Sequence, residues 1–317
     1  MANANTSDFL SVNGGVDKDA IALKVYSGMI LEAFNKVTTT EGRVVTRTIS
    51  SGKSAQFPVI GRVSTLTHAR GEEVATQALE VNSNEKVIAI EDILMSPIFI
   101  DILDEAKTHF EIRRPYATQQ GQALAEESDR RSFMALAEAA NSATPNFTGG
   151  DAGTVDVQAD VATNVSELIA SIYDAAEVLD LNSVPAAERT LWLAPSQYYL
   201  LLNNGEFIDS DFNDANGNRS HAVMRNAADF EIVKTTNLPS SDESANADLP
   251  SGQDLDYRNL VAIAAHSSAA GMVSLMGLMF ESEYDINRQG HLLIAKYARG
   301  FGALRPEAAV ALASAAL

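Results

Sequence analysis

The chain has 317 residues, 46% of them hydrophobic, so a real core can form and disorder is not the default. It contains no cysteine, which excludes a disulfide framework, cysteine-ligated zinc and a cysteine nucleophile, and fits a reducing compartment. A formal net charge of −19 argues against a sequence-reading DNA binder, whose affinity would come from neutralising phosphates with Lys and Arg.

Residues 1–19 are polar, lack the basic and apolar regions of a signal peptide, and read as a loose arm. Ala20 to Lys36 sets Ile21, Val25, Met29 and Ala33 at i, i+4 spacing, which predicts an amphipathic helix. From Arg43 to Asp92 the helical stripe disappears. Short extended pieces at Val44–Ile49, Gln56–Ile60 and Lys86–Ile90 alternate with Ser-Gly, Gly-Glu and Asn-rich breaks, which predicts a long β-excursion without a core of its own. Its charges are segregated. Residues 43–70 hold Arg43, Arg47, Lys53, Arg62 and Arg70 and no acid, whereas residues 71–92 hold Glu72, Glu73, Glu80, Glu85, Glu91 and Asp92 against Lys86 alone. Exposed ion pairs contribute only about 0–1 kcal/mol each, but repeated around a closed assembly they can set register. Phe57, Pro58, Val59 and Ile60 lie amid these charges and would be poorly covered on a lone hairpin, which points to a second copy of the chain.

Pro115 to Asn141 is the clearest long helix, with Pro115 suited to the first turn and no later proline. At about 1.5 Å per residue it spans roughly 40 Å. Ala123, Leu124, Met134 and Ala137 form a thin apolar stripe, while Glu126, Glu127, Asp129, Arg130 and Arg131 crowd its middle, so it reads as a strut across a domain surface. Thr144 to Gly153 is a loop. Val165 to Leu179 is strongly amphipathic, with Asn164 as its N-cap. A buried strand follows at Thr190–Leu193, a helix runs from Pro195 through Leu202, Asn203–Asn218 is a polar loop, and Phe230–Lys234 is a further strand. Ser240 to Asp256 carries five acids and no base and reads as an exposed, mobile loop. Leu260 to Phe280 lacks charge and is long enough to span a bilayer, but its His266, serines and glycines and its lack of basic flanks suit buried sheet or helix better. Glu281–Arg288 and Leu292–Tyr297 can pair as a hairpin through Gln289-Gly290.

Motifs for chemistry fail in turn. Gly52-Lys53-Ser54 lacks the earlier glycine of a phosphate-binding loop, where Arg47 stands, and leads into Phe57-Pro58 rather than a helix. Asp209, Asp211 and Asn213 have calcium-loop spacing, but Asp214 replaces the required glycine and Ser220 the closing glutamate. The histidines (His68, His109, His221, His266, His291) are scattered without ligand spacing. Glu126 and Glu127 are adjacent and diverge on a helix. No catalytic group, metal site or cofactor is expected.

Two stretches read instead as surface that another copy must recognise: Arg47 to Arg62 and Ile294 to Ala309, the latter running Ile-Ala-Lys-Tyr-Ala-Arg-Gly-Phe-Gly-Ala-Leu-Arg-Pro-Glu-Ala-Ala. Together they resemble the signatures of the major capsid proteins of T-seven-like short-tailed phages. Glu85–Ile90 resembles the return of that family's extended loop, and His266–Gly271 a late segment. Residues 145–257 match weakly, and Ala227-Ala228-Asp229-Phe230 departs from the family's Gly-Phe turn, which puts that strand boundary in question.

The resemblance implies an α+β, Hong-Kong-97-type capsid fold. Residues 1–42 would form an N-terminal arm and first helix, 43–92 the extended loop, and 93–150 a peripheral domain with its spine helix at 115–141. Residues 151–276 would form an axial domain, 277–302 a return hairpin, and 303–317 a final axial segment. It also implies hexamers and pentamers in an icosahedral shell around double-stranded DNA, built with a scaffolding protein and a portal. An acidic wall would not trap the packaged polymer. The expected contacts between copies use Arg43, Arg47, Lys53, Phe57, Arg62, Arg70, Glu72, Glu73, Glu126, Glu127, Asp129 and Arg288. An isopeptide bond through Lys53 is not part of the T-seven-like pattern. An encapsulin-type compartment housing enzymes shares the fold, and a soluble acidic enzyme with an unrecognised cleft is the other alternative.

Overall fold

The computed structural model describes residues 18–60, 65, 67–68, 70–71, 83–90, 92–103, 113–146, 150–204, 217–218, 223–224, 226–246, 249–250 and 252–317. The expected N-terminal arm lies outside them up to residue 17, as do Arg62, Glu72, Glu73 and the calcium-spaced Asp209–Asn213. In chain order the elements are α1 (Lys18–Val37), β1 (Val45–Thr48), β2 (Ser54–Ile60), β3 (Ser83–Ala89), β4 (Leu94–Asp101), α2 (Arg113–Asn141), β5 (Thr154–Val157) and α3 (Val165–Leu181). There follow β6 (Arg189–Leu193), α4 (Pro195–Asn204), β7 (Gly217–Asn218), β8 (Val223–Met224), β9 (Asn226–Ala227), β10 (Phe230–Lys234), β11 (Leu260–His266), β12 (Ala270–Asp285), β13 (Gly290–Ala303) and β14 (Ala309–Ala313). The chain divides into two compact units. The first contains residues 1–38, 92–128 and 276–298; the second contains 39–91, 129–275 and 299–317.

The second unit is built on a six-stranded sheet ordered β5-β14-β11-β6-β10-β9. Its central strands β6 and β14 are buried at every position, as expected for apolar runs covered on both faces. Helix α3 begins where Asn164 accepts from the Ser166 N–H, and it buries Leu168, Ile172 and Leu179. The second half of α2 enters the same core. Phe133 packs edge-on against Trp192 with ring centroids 5.7 Å apart, and Met134 through Ala137 are fully enclosed. That half is therefore no surface strut. Ala123 of the expected stripe is exposed, and Phe133, Ala139 and Ala140 are buried instead. The uncharged block at 260–280 is two strands, β11 and β12, broken by a turn in which the Ala269 N–H donates to the His266 carbonyl. Among the described residues, no helix is long and apolar enough to cross a membrane.

Strand β10 starts at Phe230 despite the missing glycine. Ala228 and Asp229 both adopt positive φ (48° and 66°), the two-residue hairpin conformation that glycine or asparagine normally supplies. The acidic stretch at 240–256 is not a loose loop where it is described. Arg130 grips Glu243 and Ser241, Tyr257 N–H donates to the Ser241 carbonyl, and Gln253 is buried between Glu138 and the Phe301 carbonyl. The acids that looked solvated are partly consumed in holding this segment against α2.

Glu138 titrates unusually. Desolvation raises its pKa above the ordinary 4.5, against the Gln253 amide, the Lys86 charge and the Ala303 N–H, which lower it. The folded state thus prefers the proton. Its stabilising effect is complete below the ordinary carboxyl pKa and is lost as pH rises through the raised value. Glu138→Gln, which keeps an acceptor for Gln253 without the charge, is expected to melt higher than the unaltered chain at pH 7 and equally at pH 4. Differential scanning fluorimetry at the two pH values checks this, and a gap independent of pH refutes it.

In the first unit, α1 and the first half of α2 pack on strands β4, β13 and the end of β12. Tyr26, Ile30 and Phe34 meet Ala117, Leu124, Leu293 and Tyr297. The two helices approach closely at Gly121, where a Cβ would lie 2.6 Å from the Ile30 carbonyl oxygen. Tyr26 donates to Gln120 Oε1 (2.8 Å), and the Gln120 amide donates to the Ser96 carbonyl (2.8 Å). Burial pushes the Tyr26 phenol up to about 12, with Arg113 opposing. Strands β4 and β13 pair antiparallel from Tyr297↔Leu94 to Gly290↔Asp101. Pro97 is tolerated because β4 is an edge strand.

Candidate intersubunit surface

The extended excursion is an antiparallel hairpin, β2 against β3, in register from Ser54↔Ala89 to Ile60↔Ser83. Its base has a small core after all: Ala55 and Ile88 pack with Val273 and Leu304, and Phe57, Ile49 and Ile90 lean on them. Three glycines let the base settle. A Cβ on Gly300 would collide with the Ala89 carbonyl oxygen and lie 3.0 Å from Ile90 Cα; one on Gly302 would lie 3.2 Å from Ile88 Cγ1. At Gly271 it would lie 2.7 Å from Leu304 Cδ1 and 3.0 Å from Ile88 Cδ1. The stretch Ala298 to Ala303 is buried throughout. The Arg-Gly-Phe-Gly signature is therefore not surface that another copy reads. It is the internal seat on which the hairpin rests. Arg299 supports it from within, 8% exposed, with Nη2 3.5 Å from Glu41. Asn84 adds a polar tether, donating to the Asn146 carbonyl (2.7 Å), while the Asn146 amide donates to the Leu304 carbonyl.

Most of the expected contact residues can now be placed. Arg47 donates to the Gln56 carbonyl and stacks over Phe57 (5.8 Å to the ring centroid), so it braces its own hairpin. A groove of about 860 Å³ lies beside it, lined by Ile49, Ala55, Pro58, Asn84 and Glu85. Phe57 is half-buried in the base cluster and is core at least on one side. Arg43 pairs with Glu231 of its own chain at 2.6 Å. Asp129 is fully buried and accepts from the Thr39 and Thr40 N–H groups, both threonine hydroxyls and the Asn237 amide, at 2.7–3.2 Å. It has no surface to offer a neighbour, because both of its oxygens are occupied inside the subunit. Lys53, Arg70, Glu126 and Arg288 are exposed, and Glu127 is half-buried. No group of acids and histidines able to hold a metal occurs among the described residues.

A surface that sequence reasoning missed lies on the first unit. Along β4 exposure alternates: Ile98 and Ile100 face the helices, while Met95, Pro97 and Phe99 face outward beside half-buried Leu292 and Ile294 of β13. Under a third of the chain carries ten of the sixteen exposed large apolar or aromatic side chains among the described residues. The alternation of Met95, Pro97 and Phe99 was readable. What hid it was that β4 is apolar on both faces, with Ile98 and Ile100 inward and Met95, Pro97 and Phe99 outward.

The Gp10A-like major capsid protein model matches residues 56–313. The chain belongs to that family. It is 31% identical to the major capsid protein of Escherichia phage T7, over 93% of this chain and 92% of that one. It is 32% identical to that of Enterobacteria phage T3, over 98% of both. The capsid structure of cyanophage P-SCSP1u superimposes with a TM-score of 0.78 at 32% identity, covering 98% of this chain and 99% of that one. The T-seven-like resemblance and the α+β tailed-phage capsid fold are thereby borne out, and the chain is a structural capsid protein, not an enzyme.

Proposed function

We propose that this protein assembles as hexamers and pentamers into the icosahedral shell of a virion and encloses double-stranded DNA without reading its sequence. A scaffolding protein and a portal take part during assembly in the host cytoplasm. The observation that carries this is the outward apolar face of β4 and β13: it is unsuited to a free monomer, and copies of the same chain in a closed shell are available to cover it. The hairpin fits the same reading. Its base is fixed by Gly300 and Gly302, so its limbs are presented at a set angle, with Lys53 and Val87 exposed. Lys53, Arg70, Glu126, Glu127 and Arg288 are the contact residues that stay in play, with Arg62, Glu72 and Glu73 beyond the described residues. Residues 43–92 act as the extended loop, 93–150 and 277–302 as peripheral domain, and 151–276 with 303–317 as axial domain, the second half of the spine helix α2 being packed into the core of the axial sheet.

Electron micrographs of the chain expressed with a cognate scaffold are expected to show closed shells of uniform size. Only monomers or small oligomers would overturn the reading. Enzyme cargo in place of DNA in purified particles would turn it to a compartment shell, which the relation to phage capsid proteins does not favour.

A further inference from the structure

Glu138, in the last turn of α2, reaches the stretch of β13 that seats the extended hairpin. Its carboxylate accepts from the Ala303 N–H and from the Gln253 amide, with Oε2 3.1 Å from Nε2. The same Gln253 nitrogen donates to the Phe301 carbonyl (3.3 Å). Phe301 and Ala303 flank Gly302, on which Ile88 of the hairpin rests. Residues 252–257 close over the carboxyl from the other side. A Cβ on Gly252 would lie 3.2 Å from Glu138 Cγ, and the Gln253 carbonyl accepts from the Tyr257 hydroxyl (2.7 Å). Gln253 is 1% exposed, yet its Oε1 has no donor among the described residues. Turning the amide over gives no relief, because Oε1 would then face the carboxylate and the Phe301 carbonyl, acceptor against acceptor.

A proton on Glu138 does give relief. The carboxyl then carries a donor for Gln253 Oε1 and keeps an oxygen to accept from Gln253 Nε2, a closed acid–amide pair. The same proton removes the charge that attracts Lys86 of β3. Lys86 is the charged group that acts on Glu138. Arg130 and Glu243 are paired with each other, Asp254 accepts from the Gly252 N–H (2.9 Å), and β13 presents main-chain groups. Burial favours the protonated form and Lys86 the charged one, so pH can choose between them. We infer that Glu138 is a proton-operated latch: charged, it holds Lys86 and with it the hairpin; protonated, it releases Lys86 and fastens residues 252–257 through Gln253. The proton comes from solution, and Lys86 keeps its own. This goes beyond the shell reading and does not depend on it.

Hydrogen exchange of the full-length subunit, followed from pH 7 to pH 4.5 and corrected for the intrinsic pH dependence of exchange, tests the latch. On acidification residues 83–90 are expected to exchange about threefold faster, the scale of a lost half-buried ion pair, and residues 252–257 about threefold slower. Glu138→Gln carries the acid's donor and acceptor permanently, so it is expected to show the acid pattern across the whole series. Lys86→Met is expected to move the change at 252–257 to higher pH, because the charged carboxylate loses its partner. Both segments changing in the same direction, or a Glu138→Gln chain whose residues 83–90 still follow pH like the unaltered chain, overturns the latch. So does a Lys86→Met chain whose transition at 252–257 stays where it was.

Discussion

Replacing Gly300 with alanine is expected to unseat the extended hairpin while leaving the six-stranded sheet folded. The added methyl would collide with the Ala89 carbonyl oxygen and press on Ile90 Cα at 3.0 Å. Both are backbone atoms, so no rotamer change relieves the clash, and the hairpin must lift away from β13. Overpacking of this kind costs about 1–3 kcal/mol. The base cluster of Ala55, Ile88, Val273 and Leu304 has only four fully buried members, so a shift of that size opens much of it. Gly277→Ala is the matched control: it lies on a neighbouring strand with nothing within 4 Å of the added methyl. Hydrogen exchange at residues 83–90 of the soluble subunit is expected to accelerate for Gly300→Ala only, and closed particles to disappear for that variant alone. If both substitutions behave alike, the seat does not hold the hairpin.

The contrast between these two glycines shows where sequence reasoning stops. Strand β10 was legible to the residue, since Phe230–Lys234 alternates, and α3 was legible from its stripe and its asparagine cap. Both depend on neighbours within a few positions. Gly300 and Gly302 had looked like recognition surface, because the residues that press on them, Ile88 to Ile90, lie about 210 positions upstream. The acidic run at 240–256 misled for a similar reason. Its partner Arg130 and the buried contact of Gln253 with Glu138 come from α2, more than a hundred positions away. Of the expected contact surface, the basic hairpin limb was visible as charge segregation. The division of its arginines was not, because Arg43 and Arg47 are spent on Glu231 and on the hairpin itself.

Asp129→Ala is expected to cost the isolated subunit about 3–5 kcal/mol, because losing a buried charged partner strands the groups that donated to it. Five donors converge on this carboxylate: the N–H and hydroxyl of both Thr39 and Thr40, and the Asn237 amide. Thr40 is 2% exposed, so water cannot replace the lost acceptor at its N–H. The carboxylate joins three separate pieces of the second unit: the chain leaving α1, the helix α2, and the segment after β10. Asp129→Asn is expected to be nearly as harmful, since its amide nitrogen would point donor at donor and only one oxygen would remain to accept. This sets the residue apart from a contact between copies. Loss of an intersubunit charge would leave the subunit's urea midpoint unchanged and suppress only assembly. The buried position predicts a large fall in that midpoint before any shell forms, and an unchanged midpoint for Asp129→Ala would return the residue to the interface.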